Sequence, residues 1–150
     1  MDGWQVLSQP KRETTIMRGK ILTVDDEPNL LKLASLLLKK AGYDVDTAAD
    51  GLEALEKVRR CRPDLILVDV TMPRMDGFTF CETLRKNAAT TAIPIIMLTG
   101  LHSHLAELNS FAHGANAFLM KPFSGADLLA EITAQLHGPA AAHAKSGSAP

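Results

Sequence analysis

Six polar residues in this chain stand where chemistry could be done. Asp25, Asp26 and Glu27 follow the apolar run Ile21-Leu22-Thr23-Val24, and Asp69 follows Leu65-Ile66-Leu67-Val68. Thr99 ends Ile95-Ile96-Met97-Leu98, and Lys121 ends Ala117-Phe118-Leu119-Met120. Aspartates brought close together repel one another and need compensation. Lys121 supplies one positive charge. A hard divalent cation such as Mg²⁺ supplies more, because it takes a few carboxylates and fills its octahedron with water and phosphate oxygens. Carboxylates, a hydroxyl and an ammonium around such an ion suit phosphoryl transfer to a carboxylate. Asp69 would be the nucleophile, and Thr99 and Lys121 would neutralise the phosphoryl oxygens. No Gly-x-Gly-x-x-Gly and no Gly-x-x-x-x-Gly-Lys-[Ser/Thr] occurs, which disfavours a dinucleotide or nucleoside triphosphate site.

The elements that must hold these residues alternate. Four continuous apolar runs and one weaker run, Tyr43–Thr47, suit strands buried on both faces of a parallel sheet. Helical patterns lie between them. Leu30, Leu31, Leu33, Ala34, Leu37 and Leu38 recur at three- and four-residue steps before Gly42. Asp50-Gly51-Leu52-Glu53 reads as a capping box with Leu52, Leu55 and Val58 behind it. Phe78, Cys81 and Leu84 follow Gly77, and Leu105, Leu108 and Phe111 precede Gly114. Ser124 caps a last helix carrying Leu128, Leu129, Ile132 and Leu136, stopped by Gly138-Pro139. Five β-α units imply an α/β three-layer sandwich with right-handed crossovers. Its ligand site lies outside the carboxyl ends of the strands, where the polar residues fall.

Composition excludes several classes. The chain has 150 residues, 46% of them hydrophobic, and a net charge of -1, so it carries no basic excess for nucleic acid. No apolar run reaches the roughly 18 residues that span a membrane, and no signal peptide is evident. Cys61 and Cys81 fit reduced core or near-core positions in a cytoplasmic protein. Residues 1–18 read as a flexible leader with one apolar patch, Trp4, Val6 and Leu7, able to dock on the domain or on a partner. Residues 138–150 hold no large apolar side chain and read as a disordered tail or linker stub.

Over residues 19–137 the chain resembles the response-regulator receiver domains of two-component signalling. The resemblance rests on Val24-Asp25-Asp26-Glu27, on Leu67-Val68-Asp69 running through Met72-Pro73-Arg74-Met75-Asp76-Gly77, on Leu98-Thr99-Gly100 and on Met120-Lys121-Pro122-Phe123. Asp26, Asp69, Thr99 and Lys121 are separated by 43, 30 and 22 residues, as in that family. The resemblance implies the flavodoxin-like strand order 2-1-3-4-5. It also implies that Asp69 takes phosphate from a phosphohistidine on a sensor histidine kinase or histidine phosphotransfer protein, as a switch rather than a turnover enzyme. Asp25, Asp26, Asp69 and the backbone carbonyl of Thr71 would hold Mg²⁺. Thr99, Lys121 and Phe118, where many receivers carry Tyr, would form the switch, and Lys121-Pro122 would be a cis bond. Pro28, Asn29, Leu31 and Phe123 stand where such domains dock their donor. Leu101 and Thr71, where the family tunes dephosphorylation, offer no acid or amide to position water, which implies a long-lived phospho-form. The alternatives are a receiver cut from a larger regulator or hybrid kinase, a binding-only receiver, and a hydrolase of the haloacid-dehalogenase type. The last places Asp-x-Asp after its first strand, unlike Asp69-Val70-Thr71.

Overall fold

A computed structural model describes residues 18–100 and 104–146. All but Arg18 of the expected leader, and Leu101, lie outside the described residues. Five strands alternate with five helices: β1 (Lys20–Val24), α1 (Pro28–Lys40), β2 (Asp44–Ala48), α2 (Gly51–Arg60), β3 (Leu65–Asp69), α3 (Gly77–Arg85), β4 (Ile95–Thr99), α4 (His104–Ala112), β5 (Ala117–Met120) and α5 (Gly125–Ser146). The strands form one parallel sheet in the order β2-β1-β3-β4-β5. This is the expected 2-1-3-4-5 arrangement.

Strand side chains alternate between two cores with period two. Leu22, Val24, Ile66, Val68, Ile95 and Met97 join Ala54 and Val58 of α2 and Phe80, Cys81 and Leu84 of α3. Ile21, Leu65, Leu67, Ile96 and Leu98 join Leu38 of α1 and Leu128 and Ile132 of α5 on the opposite face. Each fully buried side chain of this size contributes about 1.5–3 kcal/mol. The sheet is thus covered on both faces, which fixes β1, β3 and β4 as rigid supports for whatever follows them.

Local signals explain the helix ends. Pro28 opens α1 at a position where its missing N–H costs nothing. Gly42, at φ 101, closes it, and the Tyr43 N–H donates to the Leu38 carbonyl over 3.0 Å. Asp50 Oδ1 accepts from the Glu53 N–H at 2.9 Å, while Glu53 Oε1 accepts from the Ala49 N–H at 2.8 Å. The expected capping box therefore forms, reaching one residue further back than usual. Asp76 caps α3 by accepting from the Thr79 N–H, and Ser124 caps α5 by accepting from the Asp127 N–H.

Several helix faces differ from expectation. On α2 the buried side is Gly51, Ala54 and Val58, and Leu52 is exposed. Leu33 of α1 and Leu108 and Phe111 of α4 are exposed as well, whereas Ser110 is fully buried. On α2 and α4 small residues let the helix approach the sheet closely, so the seam there follows Gly, Ala and Ser, while α1 buries Leu38. Cys61 is exposed, not near the core, with its Sγ 2.9 Å from Lys20 Nζ. Cys81 is buried, and burial pushes its thiol up to about 11. Helical backbone breaks at Gly138, at φ 84, and resumes to Ser146, where composition led to an expectation of disorder. Pro139 and the alanines after it are good residues for the first turns of a helix.

Candidate active site

The rim formed by the carboxyl ends of β1, β3, β4 and β5 gathers the expected residues. Asp25, just beyond β1, and Asp69, the last residue of β3, are both buried, and Asp26 is exposed beside them. One carboxylate oxygen from each of the three lies within 4.8 Å of the others. Lys121, just beyond β5, reaches back across the sheet. Its Nζ lies 3.1 Å from Asp25 Oδ2 and 3.5 Å from Asp69 Oδ2. The Lys121–Pro122 bond is cis, as expected. Asp25 Oδ1 also accepts from the Glu27 N–H at 3.0 Å.

The electrostatics follow from this crowding. Burial is the main force holding the Asp69 carboxyl above its ordinary value; the charge of Lys121 opposes it and the charge of Asp25 adds to it. Burial alone would lower Lys121, but its hydrogen bond to Asp25 and the charges of Asp69 and Asp25 outweigh that and hold the ammonium above its usual range. The set carries three carboxylates against one ammonium. Its all-oxygen donors and excess negative charge fit a hard divalent cation.

The other expected residues are placed around this centre. Leu98 pairs with Asp69 across the β3–β4 ladder, so Thr99 stands one residue further along the adjoining strand, almost fully buried. The Lys121 N–H donates to the Thr99 carbonyl at 2.7 Å, tying β4 to the lysine-bearing loop. Phe118 is half-buried against the core under α2 and α3. Thr71 is exposed, with its backbone N–H 3.5 Å from Asp69 Oδ1. Leu31 and Phe123 line one groove of about 470 Å³ beside Asp25 and Lys121. Pro28 and Asn29 are exposed at the start of α1, outside that lining.

Two features escaped the reading of the sequence. A Cβ at Gly77 would sit 2.5 Å from the Asp69 carbonyl oxygen and 2.9 Å from Val70 Cα. The Gly77 N–H also donates to the Val70 carbonyl at 2.9 Å. Only glycine lets α3 start this close to the strand end that carries Asp69. The second is an ion pair between Arg74, at φ 67, and buried Asp50. The Glu53 N–H is the main reason the Asp50 carboxyl lies below its ordinary value, and Arg74 adds to it. This pair fastens the loop after β3 to the end of β2. Its partners are separated by 24 residues with no shared pattern; the motif glycine was the one signal that could have pointed to the loop's tight path.

The family model of the response regulator receiver domain matches residues 21–133. The transcriptional regulator RpaA of Synechocystis sp., named as DNA-binding, is 40% identical over 117 residues, covering 78% of this chain and 48% of that protein. The chain therefore spans about half the length of that relative. Protein PilG of Pseudomonas aeruginosa is 38% identical over 117 residues, covering 78% of this chain and 87% of PilG. The receiver domain of the sensor histidine kinase PA1611 from P. aeruginosa superposes with a TM-score of 0.75 and 31% identity, over 80% of this chain and 98% of that one. That structure is described with a magnesium ion coordinated in its active-site cleft. Among the described residues of the present chain, no helix is long and apolar enough to cross a membrane.

Proposed function

The chain belongs to the response regulator receiver family, and from that premise we propose that Asp69 is its phosphoacceptor. A carboxylate oxygen of Asp69 attacks the phosphorus of a phosphohistidine on a sensor histidine kinase or histidine phosphotransfer protein. The new O–P bond forms as the N–P bond breaks, and the imidazole leaves with the bond's electron pair. Asp25, Asp26, Asp69 and the Thr71 carbonyl are the residues that would hold Mg²⁺. When bound, the ion supplies positive charge toward the phosphoryl oxygens. Lys121 holds Asp25 and Asp69 in place beforehand and offers its ammonium to the incoming group. Thr99, on the neighbouring strand, donates its hydroxyl to the phosphoryl group.

The observation that carries this reading is the contact of one lysine with two of three clustered carboxylates, 3.1 Å and 3.5 Å away. Exposed Leu108 and Phe111 of α4 and Met120 of β5 offer an apolar surface for a partner that reads the switch. The half-buried Phe118 between that edge and the core is the element that would couple the two. We place the protein in the cytoplasm, with a slow self-dephosphorylation because Thr71 carries no acid or amide to position water. Incubation with a small phosphodonor and Mg²⁺ tests the reading: the native chain gains one phosphoryl group by intact mass. Gain of the same group by Asp69→Asn, or by the native chain equally well in chelator, overturns it.

A further inference from the structure

The groove beside Asp25 and Lys121 is larger than donor docking at its upper end requires. Leu30, Leu33, Ala34 and Leu37 of α1 form one wall, Gly125 and Leu128 of α5 form the other, and Leu67 and Leu98 lie on its floor. Its volume, about 470 Å³, is about three times that of a cavity that takes up a benzene ring. Asp25 and Lys121 make its upper end polar, and the rest of the lining is apolar apart from Thr23, whose Oγ1 is buried. The occupant that suits the apolar part is a large apolar side chain, and an indole has that chemistry.

We propose that the groove is the docking site of the chain's own N-terminal segment, anchored by Trp4, the one aromatic side chain among residues 1–17. Arg18 shows where that segment arrives. Its backbone N–H donates to the Gly42 carbonyl at 3.0 Å, just past the end of α1, and its guanidinium lies over the Tyr43 ring. A Cβ at the next residue, Gly19, would lie 3.6 Å from Leu136 of α5. The chain thus enters between the C-terminal end of α1 and the part of α5 just before its break at Gly138. Trp4 lies fourteen positions before Arg18, a stretch that can span up to about 46 Å, whereas α1 is only about 20 Å long. Residues 138–150 offer no large apolar side chain to fill the space. The groove also carries Leu31 and Phe123, so the seated segment competes with a docked donor. That consequence rests on the proposed function, and the docking itself does not.

Trp4 is the chain's one tryptophan, so its fluorescence in the full-length protein reads the groove directly. The expected emission is shifted to shorter wavelength than in the denatured chain, with acrylamide quenching several-fold weaker, at all protein concentrations. Leu33→Glu on the exposed rim restores denatured-like emission, and Leu33→Gln gives the same answer should the charge disturb folding. Denatured-like emission in the native chain overturns the proposal. So does a blue-shifted emission that the rim variants leave unchanged, which puts Trp4 elsewhere. A shift that appears only as the chain dimerises also overturns it, by assigning the groove to a second copy.

Discussion

Replacing Gly77 by alanine probes whether the start of α3 truly sets the position of Asp69. The added Cβ would meet the Asp69 carbonyl oxygen at 2.5 Å and Val70 Cα at 2.9 Å, and both are backbone atoms with no rotamer to yield. Ordinary contact begins near 3.4 Å, so the strand end and the helix must part by about 0.9 Å. Overpacking of this kind costs about 1–3 kcal/mol. Alanine returns about 0.5–1 kcal/mol through lower chain entropy and better helix propensity. The net expectation is a loss of about 1–2 kcal/mol, read as the urea midpoint with an unchanged slope. A displacement near 1 Å at a reacting group can cost about 100-fold in rate, so phosphorylation by a small donor should slow by roughly 10- to 100-fold. Gly125→Ala is the control: it also opens a helix, but it meets only the flexible Leu37 side chain at 3.3 Å. Gly77→Ala behaving like Gly125→Ala in both assays would refute the reasoning.

Burial holds Asp69 above the unfolded aspartate value, so the folded state binds the extra proton between the two values and stability falls as pH rises through that window. Asp69→Asn should therefore raise the urea midpoint at neutral pH, with the gain fading as acid protonates the native carboxylate; a gain independent of pH counts against it. Mg²⁺ at ten times its dissociation constant should stabilise the native chain by about 1.4 kcal/mol, and Asp26→Asn should lose most of that shift in thermal melts. Lys121→Met leaves Asp25 and Asp69 facing each other without their cation. A loss of about 1–3 kcal/mol is expected in metal-free urea titrations, discounted for the lysine's partial exposure, with Mg²⁺ restoring part of it. Arg74→Ala should cost no more than about 1 kcal/mol in the same titrations, because Arg74 is largely exposed and Asp50 keeps its bond from the Glu53 N–H.

The rim residues were legible because strand ends are. Each apolar run stops where the sheet stops, and a parallel sheet places its carboxyl ends together, so Asp25, Asp69, Thr99 and Lys121 needed only their position after a run. The helix faces were less legible. The periodicity around Leu52, Leu33 and Leu108 marks a helix but does not say which side packs: Gly51 and Ala54 pack on α2, Leu38 on α1 and Ser110 on α4. Contacts between distant residues left no trace in local pattern. The Arg74–Asp50 pair joins two loops, and the close approach at Gly77 depends on the path of the chain after β3. The resemblance marked Gly77 as part of a motif, and the geometry supplies the reason for it.

The central claim is that one side chain, Asp69, takes the phosphoryl group. Borohydride reduction after phosphorylation tests it most directly, because it converts an aspartyl phosphate to homoserine and leaves phosphoserine, phosphothreonine and phosphohistidine alone. Peptide mapping of the chain phosphorylated in Mg²⁺ should find homoserine at position 69 and unmodified Asp25 and Asp26. Homoserine at 25 or 26, or a phosphorylated chain with no homoserine at all, would contradict the account.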